Sequence, residues 1–131
     1  AGAYAPIKDV WKLQVYELCR WYNERAGSEV IPTHILTKAP SAELRPDQRD
    51  DESLPPYDVL DPMLVSLVED DMTAFDLIEA GGDEATVKRI ARLVDIAEFK
   101  RRQSPLGPRV SPKAFGRDRR MPITNRYRGG A

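Results

Sequence analysis

Residues 72–103 read MTAFDLIEAGGDEATVKRIARLVDIAEFKRRQ, and the spacing of their apolar side chains decides the fold class. Val87, Ile90, Ala91, Val94 and Ala97 recur at three and four residues, which predicts one apolar stripe on an α-helix. Asp83 stands where such a helix starts. The helix is expected to run on into Lys100, Arg101 and Arg102, because cations favour a helix C-terminus. Upstream, Thr73 and Asp76 have the spacing of an acidic capping box, in which each side chain bonds the other's backbone amide. Gly81 and Gly82 end that short helix.

The same period extends outward. Met63, Leu64, Leu67 and Val68 predict the buried face of a helix starting between Asp58 and Pro62, with Asp61 as cap and Pro62 at the first helical position. Trp11, Val15, Leu18, Cys19 and Tyr22 predict a helix over 10–26, capped by Asp9 and stopped by Gly27. Ile35–Thr37 is a weak strand candidate, and His34 falls in a short connection. Residues 38–58 carry four prolines and nine charged side chains, and so long a connection without regular structure implies a working loop or an insert. From Ser104 onward four prolines, with glycines between them, argue against helix. The fold class expected of these residues is mainly α, with two long irregular segments.

The chain has 131 residues, 41% of them apolar and 31% charged, enough for one domain with one core. No apolar run approaches the ~20 residues of a membrane span. One cysteine excludes an internal disulfide, and one histidine with one cysteine cannot build a zinc site of about four ligands. Net charge is −1, yet residues 41–99 hold 16 acidic and 5 basic side chains and residues 100–131 hold 1 and 10. The basic tail therefore calls for an anionic partner, or serves only to solubilise.

Few residues carry chemistry. With Asp9 as cap, Lys12 occupies the third helical position, where a cation opposes the helix dipole by ~0.3–1 kcal/mol; a bound phosphate would reverse that sign. Lys38 and Ser41 could bring an ammonium and a hydroxyl to an anion, while Asp50, Asp51 and Glu52 would repel phosphate, hold Mg²⁺ or face water. Cys19 lies in the apolar stripe and is expected to be a buried, inert thiol. The two helices around Gly81–Gly82 resemble a helix-turn-helix, with Lys88, Arg89 and Arg92 as readers, but Asp83, Glu84, Asp95 and Glu98 carry the wrong sign for DNA. A stand-alone helical binding module with a basic tail is the alternative reading.

Four blocks in order resemble consecutive segments of bacterial glutamine-dependent NAD synthetase: AYAPIKDVWK at 3–12, LTKAPSAELRPDQRDDESLPPYDVLDPML at 36–64, DEATVKRIARLVDIAEFKRRQ at 83–103 and GPRVSPKAFGRDRRMPITNRY at 107–127. The resemblance implies an ATP-dependent cytoplasmic ligase. In that family the carboxylate of nicotinic acid adenine dinucleotide is adenylated with release of pyrophosphate, and glutamine-derived ammonia then displaces AMP. Mg²⁺ is required, and the enzyme is a homo-oligomer. By the same resemblance Lys12 and Ser41 contact ATP and Lys100 the dinucleotide. Residues 38–58 form a lid over the adenylate, with Lys38 and Asp50 as further candidates on it, and residues 104–131 are an irregular basic tail.

The chain is then expected to be the C-terminal helical part of an α/β, Rossmann-like (adenine nucleotide alpha hydrolase-like) synthetase domain, cut from a longer protein. Its opening AGAYAPIKDV does not read as a natural start. The family's SGGxDS pyrophosphate loop, its upstream acidic metal ligand and its glutaminase domain do not occur in these residues. No catalytic residue and no metal ligand is assigned here, and neither nucleic acid nor membrane is an expected partner.

Overall fold

A computed structural model of the chain describes residues 4–38 and 54–122. It is mainly helical, as expected. Among the described residues six helices follow in order: α1 Lys12–Ala26, α2 Thr33–Thr37, α3 Tyr57–Val68, α4 Ala74–Glu79, α5 Glu84–Ile96 and α6 Glu98–Gln103. Among the described residues the only β pairing is an isolated bridge between Tyr4 and Leu106. The chain divides into two compact units, residues 11–61 and residues 1–10 with 62–131.

In the unit of residues 11–61, α1 begins at Lys12, not at Val10, because Trp11 takes the cap position. The Trp11 amide donates to Gln14 Oε1 at 3.2 Å. Lys12 is therefore the first helical residue, not the third. Asp61 supplies the carboxylate that the helix start needs, since the Leu13 amide donates to its Oδ2 at 2.8 Å. That amide is one of the first four in a helix, which have no intrahelical acceptor. Gly27 closes α1 at φ 64°, a conformation glycine adopts without Cβ strain. The Asn23 side chain then brackets Ile31, donating to its carbonyl and accepting from its amide, each at 2.8 Å. This clasp turns the chain into α2.

Two expectations are corrected here. Ile35–Thr37, the strand candidate, is part of α2, and His34 lies on that helix with its side chain exposed. Five residues flanked by Pro32 form a single helical turn, and the period-2 signal was too short to specify a ladder. Cys19 is half-buried, not buried, and α1 contains no fully buried residue. Leu18 and Tyr22 of its expected apolar face are exposed, and so is Trp21 beside them. The period was right, but among the described residues of this unit no layer covers the stripe.

The other unit holds a core made of Leu67 and Val68 from α3, Ala74 from α4, Val87, Ile90 and Val94 from α5, and Ala114 from the tail. Val68 is fully buried, and Val87 and Ile90 are 1% exposed. The expected stripe of α5 is thus the core face. Its neighbour α4 starts as expected: the Thr73 amide donates to Asp76 Oδ2 at 2.7 Å, and the Asp76 amide donates to Thr73 Oγ1 at 3.2 Å. Asp83 caps α5 through the Thr86 amide at 2.9 Å. Gly81 has φ 99°, and a Cβ on Gly82 would meet Val87 Cγ2 and the Leu77 carbonyl. The two glycines are therefore required for different reasons, one by backbone conformation and the other by close packing.

Further corrections concern proline and helix length. Pro62 lies inside α3, not at its start, so the helix lacks the hydrogen bond that an amide at 62 would donate. Asp61 is buried at 6% exposure and serves α1 instead of its own helix. The long helix expected to run into Arg102 breaks at Ala97, and α6 starts at Glu98. Ser104 ends α6 as expected. Beyond it the described residues of the tail are irregular and fasten to the N-terminal segment, with the Ala5 amide donating to the Leu106 carbonyl at 2.7 Å.

Candidate functional site

Lys12 projects from the first turn of α1 and is exposed. No acidic residue shares that turn, and the carboxylate at the helix start is that of Asp61, bound to the Leu13 amide. The Lys12 ammonium lies 5.2 Å from the centre of the Tyr16 ring and 6.0 Å from that of Tyr57. Both are within reach of a cation–π attraction. Tyr57 opens α3, and Lys38 ends α2 with its amide donating to the His34 carbonyl at 3.0 Å. Lys38 and Tyr57, at either side of the expected lid, belong to one unit, and Lys12 lies near Tyr57. An exposed ammonium flanked by two aromatic faces can accept an anionic oxygen with little rearrangement.

Ser41 and Asp50 lie outside the described residues. Lys100 is exposed on α6 and belongs to the other unit. Of the residues assigned from sequence, Lys12 and Lys38 therefore share a unit and Lys100 does not. Among the described residues no group of three histidine, cysteine, aspartate or glutamate side chains could hold a metal ion. The described residues do not fit a Mg²⁺ site.

The helix that carries Lys100, α6, also carries an ion cluster that the sequence reading overlooked. Glu98, 2% exposed, accepts from Arg101 Nη2 at 2.6 Å and from Arg102 Nε at 3.3 Å. Arg120 Nη1 lies 3.8 Å away. Arg101 also donates to the Val94 carbonyl at 2.7 Å and stacks on Phe115 at 4.6 Å. Burial pushes the Glu98 carboxyl up, but the Arg101 and Arg102 guanidiniums outweigh it and hold the group below its usual value. The cluster ties the C-terminal end of α5, α6 and the tail together. Its signal in the sequence was Glu98 three residues before Arg101 and four before Arg102, a pairing distance on one helix face.

Asp9, expected to cap α1, does not do so, because Trp11 takes that position. The Asp9 Oδ2 accepts from the Val110 amide at 2.8 Å and from the Ser111 amide and hydroxyl at 2.9 Å. Burial raises its pKa, yet these donors, with a further amide at Phe115, hold it below the ordinary carboxylate value. Asp9 therefore caps the tail, about a hundred residues away, instead of the helix beside it. No local pattern encodes such a partner.

The NAD synthase family model matches residues 1–104. The chain belongs to the NAD synthase family. It is 48% identical to the glutamine-dependent NAD(+) synthetase of Acinetobacter baylyi over 127 residues, which cover 97% of the chain and 24% of that relative. Its identity to the enzyme of Rhodobacter capsulatus is 50% over 135 residues, covering 98% and 24%. A solved structure of glutamine-dependent NAD+ synthetase from Acinetobacter baumannii, in complex with ADP, superposes with a TM-score of 0.53 at 40% identity. That superposition covers 89% of this chain and 20% of that one. The chain thus spans about a quarter of the length of its curated NAD synthetase relatives. Membership of the family selects the enzyme reading over the helix-turn-helix module. No described helix is long and apolar enough to cross a membrane.

Proposed function

We propose that this chain is the C-terminal helical part of the α/β, Rossmann-like domain of a cytoplasmic, homo-oligomeric glutamine-dependent NAD synthetase. The reaction is the amidation of nicotinic acid adenine dinucleotide to NAD through an acyl-adenylate, using ATP, Mg²⁺ and glutamine-derived ammonia. Near-complete coverage of the chain by synthetases at almost half identity carries this reading.

The chain's own contribution is to bind and to shield. Lys12 receives an ATP phosphate at the start of α1, and Ser41 offers a hydroxyl to the same nucleotide. Lys100 receives the dinucleotide. Residues 38–58 close over the adenylate with Lys38 and Asp50 on them, excluding water from a reactive mixed anhydride. The helical anchors at Lys38 and Tyr57 support a closing segment hinged at both ends.

Steady-state kinetics of the full-length protein test these roles. Lys12→Ala and Ser41→Ala should each lower kcat/KM for ATP, Lys12→Ala by about 10- to 100-fold, the effect of losing a charge-assisted hydrogen bond. Lys100→Ala should act chiefly on the dinucleotide. Wild-type kinetics for both substrates in all three variants would refute the assignment.

A further inference from the structure

The tail and the N-terminal segment line a cavity of about 480 Å³. Lys100 is not in its wall. Six cations are: Lys8, Arg101, Arg102, Arg109, Arg117 and Arg120. Three carboxylates oppose them. Glu98 is taken up by Arg101, Arg102 and Arg120, and Asp118 by Arg109 at 3.4 Å. Asp9 spends one oxygen on three donors of the tail. The wall thus keeps a surplus of three positive charges in a partly enclosed space, where Coulomb attraction is stronger than in water.

Two guanidiniums around the cavity are incompletely paired. Arg101 has a side chain 7% exposed, and its Nε is buried with no hydrogen-bond partner. An unmatched buried donor costs about 1–3 kcal/mol, more when charged. The guanidinium of Arg117 makes no hydrogen bond or ion pair among the described residues. Lys8 donates to the Pro105 carbonyl and has further protons to give. Its stem is threaded past two glycines: a Cβ on Gly107 would collide with Lys8 Cγ and Cδ, and one on Gly116 would come within 3.2 Å of Lys8 Cε. The ammonium is therefore held at the cavity by the backbone on either side.

We propose that this cavity is a binding site for a phosphoryl oxyanion, either free inorganic phosphate or the phosphate of a nucleotide. Guanidinium forks match tetrahedral oxyanions in geometry and charge. Arg117 and Lys8 supply the contacts, and the buried Arg101 guanidinium adds positive charge from behind the wall. The inference rests on this one unit and not on the nucleotide role of Lys12.

Hydrogen–deuterium exchange of the full-length protein tests it, with inorganic phosphate, ADP and adenosine as separate additions. Phosphate or ADP, but not adenosine, should slow exchange across residues 104–117. Protection by phosphate alone identifies the free ion, whereas protection by ADP alone identifies a nucleotide phosphate. Arg117→Gln and Lys8→Gln should each weaken that protection, raising the phosphate concentration required about tenfold or more. Lys12→Ala should leave it intact, so this inference and the proposed function fail independently. Unchanged exchange across 104–117 with all three additions, or equal protection in both cavity variants, overturns the proposal.

Discussion

Two aspartates trade the places their neighbours in the chain would give them. Asp9 precedes α1 but serves the tail at Val110 and Ser111. Asp61 precedes Pro62 but serves α1 at Leu13. Each is a carboxylate accepting backbone donors that would otherwise be orphaned. The sign of the pH dependence follows for Asp9. Its folded pKa is depressed, so its contribution is complete above the unfolded value near 4 and is lost as pH falls through the lower folded value. Amide exchange at Val110 and Ser111, followed by NMR, should therefore speed up only at pH below about 4. Asp9→Asn, which keeps an acceptor oxygen but loses the charge, should speed it at neutral pH. Slow exchange at both amides in that variant would show that Asp9 does not hold the tail.

At the scale of elements, the helices divide by what defines their ends. Caps drawn from within five residues were legible: Thr73 with Asp76, Asp83 with Thr86, and Gly27. The break at Ala97 was not, because nothing in VDIAEFKRRQ interrupts helix propensity. There Glu98 starts a new helix and pairs with Arg101 inside the protein. Removing one partner of a buried pair strands the other. Glu98→Ala should thus cost about 3–5 kcal/mol in chemical denaturation, while Thr73→Ala, at an exposed cap, should cost about 1 kcal/mol. Equal and small losses would mean that Arg101 finds another acceptor and that the cluster does not organise α6.

At the scale of the whole molecule, one unit has a core and the other has helices with little buried. The SGGxDS loop and acidic metal ligand implied by the resemblance are not among residues 1–131. On the proposed reading, this chain alone should form no NAD from nicotinic acid adenine dinucleotide, ammonia and Mg-ATP. Chromatographic detection of NAD checks this, and sustained turnover would contradict it.

Sequence by itself determined the helical class, the core face of α5 and the caps of α4 and α5. These depend on apolar period and on hydrogen bonds closed within a turn, both of which are local. The family was legible too, from long ordered blocks such as KAPSAELRPDQRDDESLPPYD. Tertiary structure alone decided that Asp9 clamps a tail a hundred residues away, that Asp61 caps α1, and that six cations gather around one cavity. A carboxylate's acceptor capacity is written in its residue type, but its donor is whichever amide folding brings near, and chain order does not specify that amide.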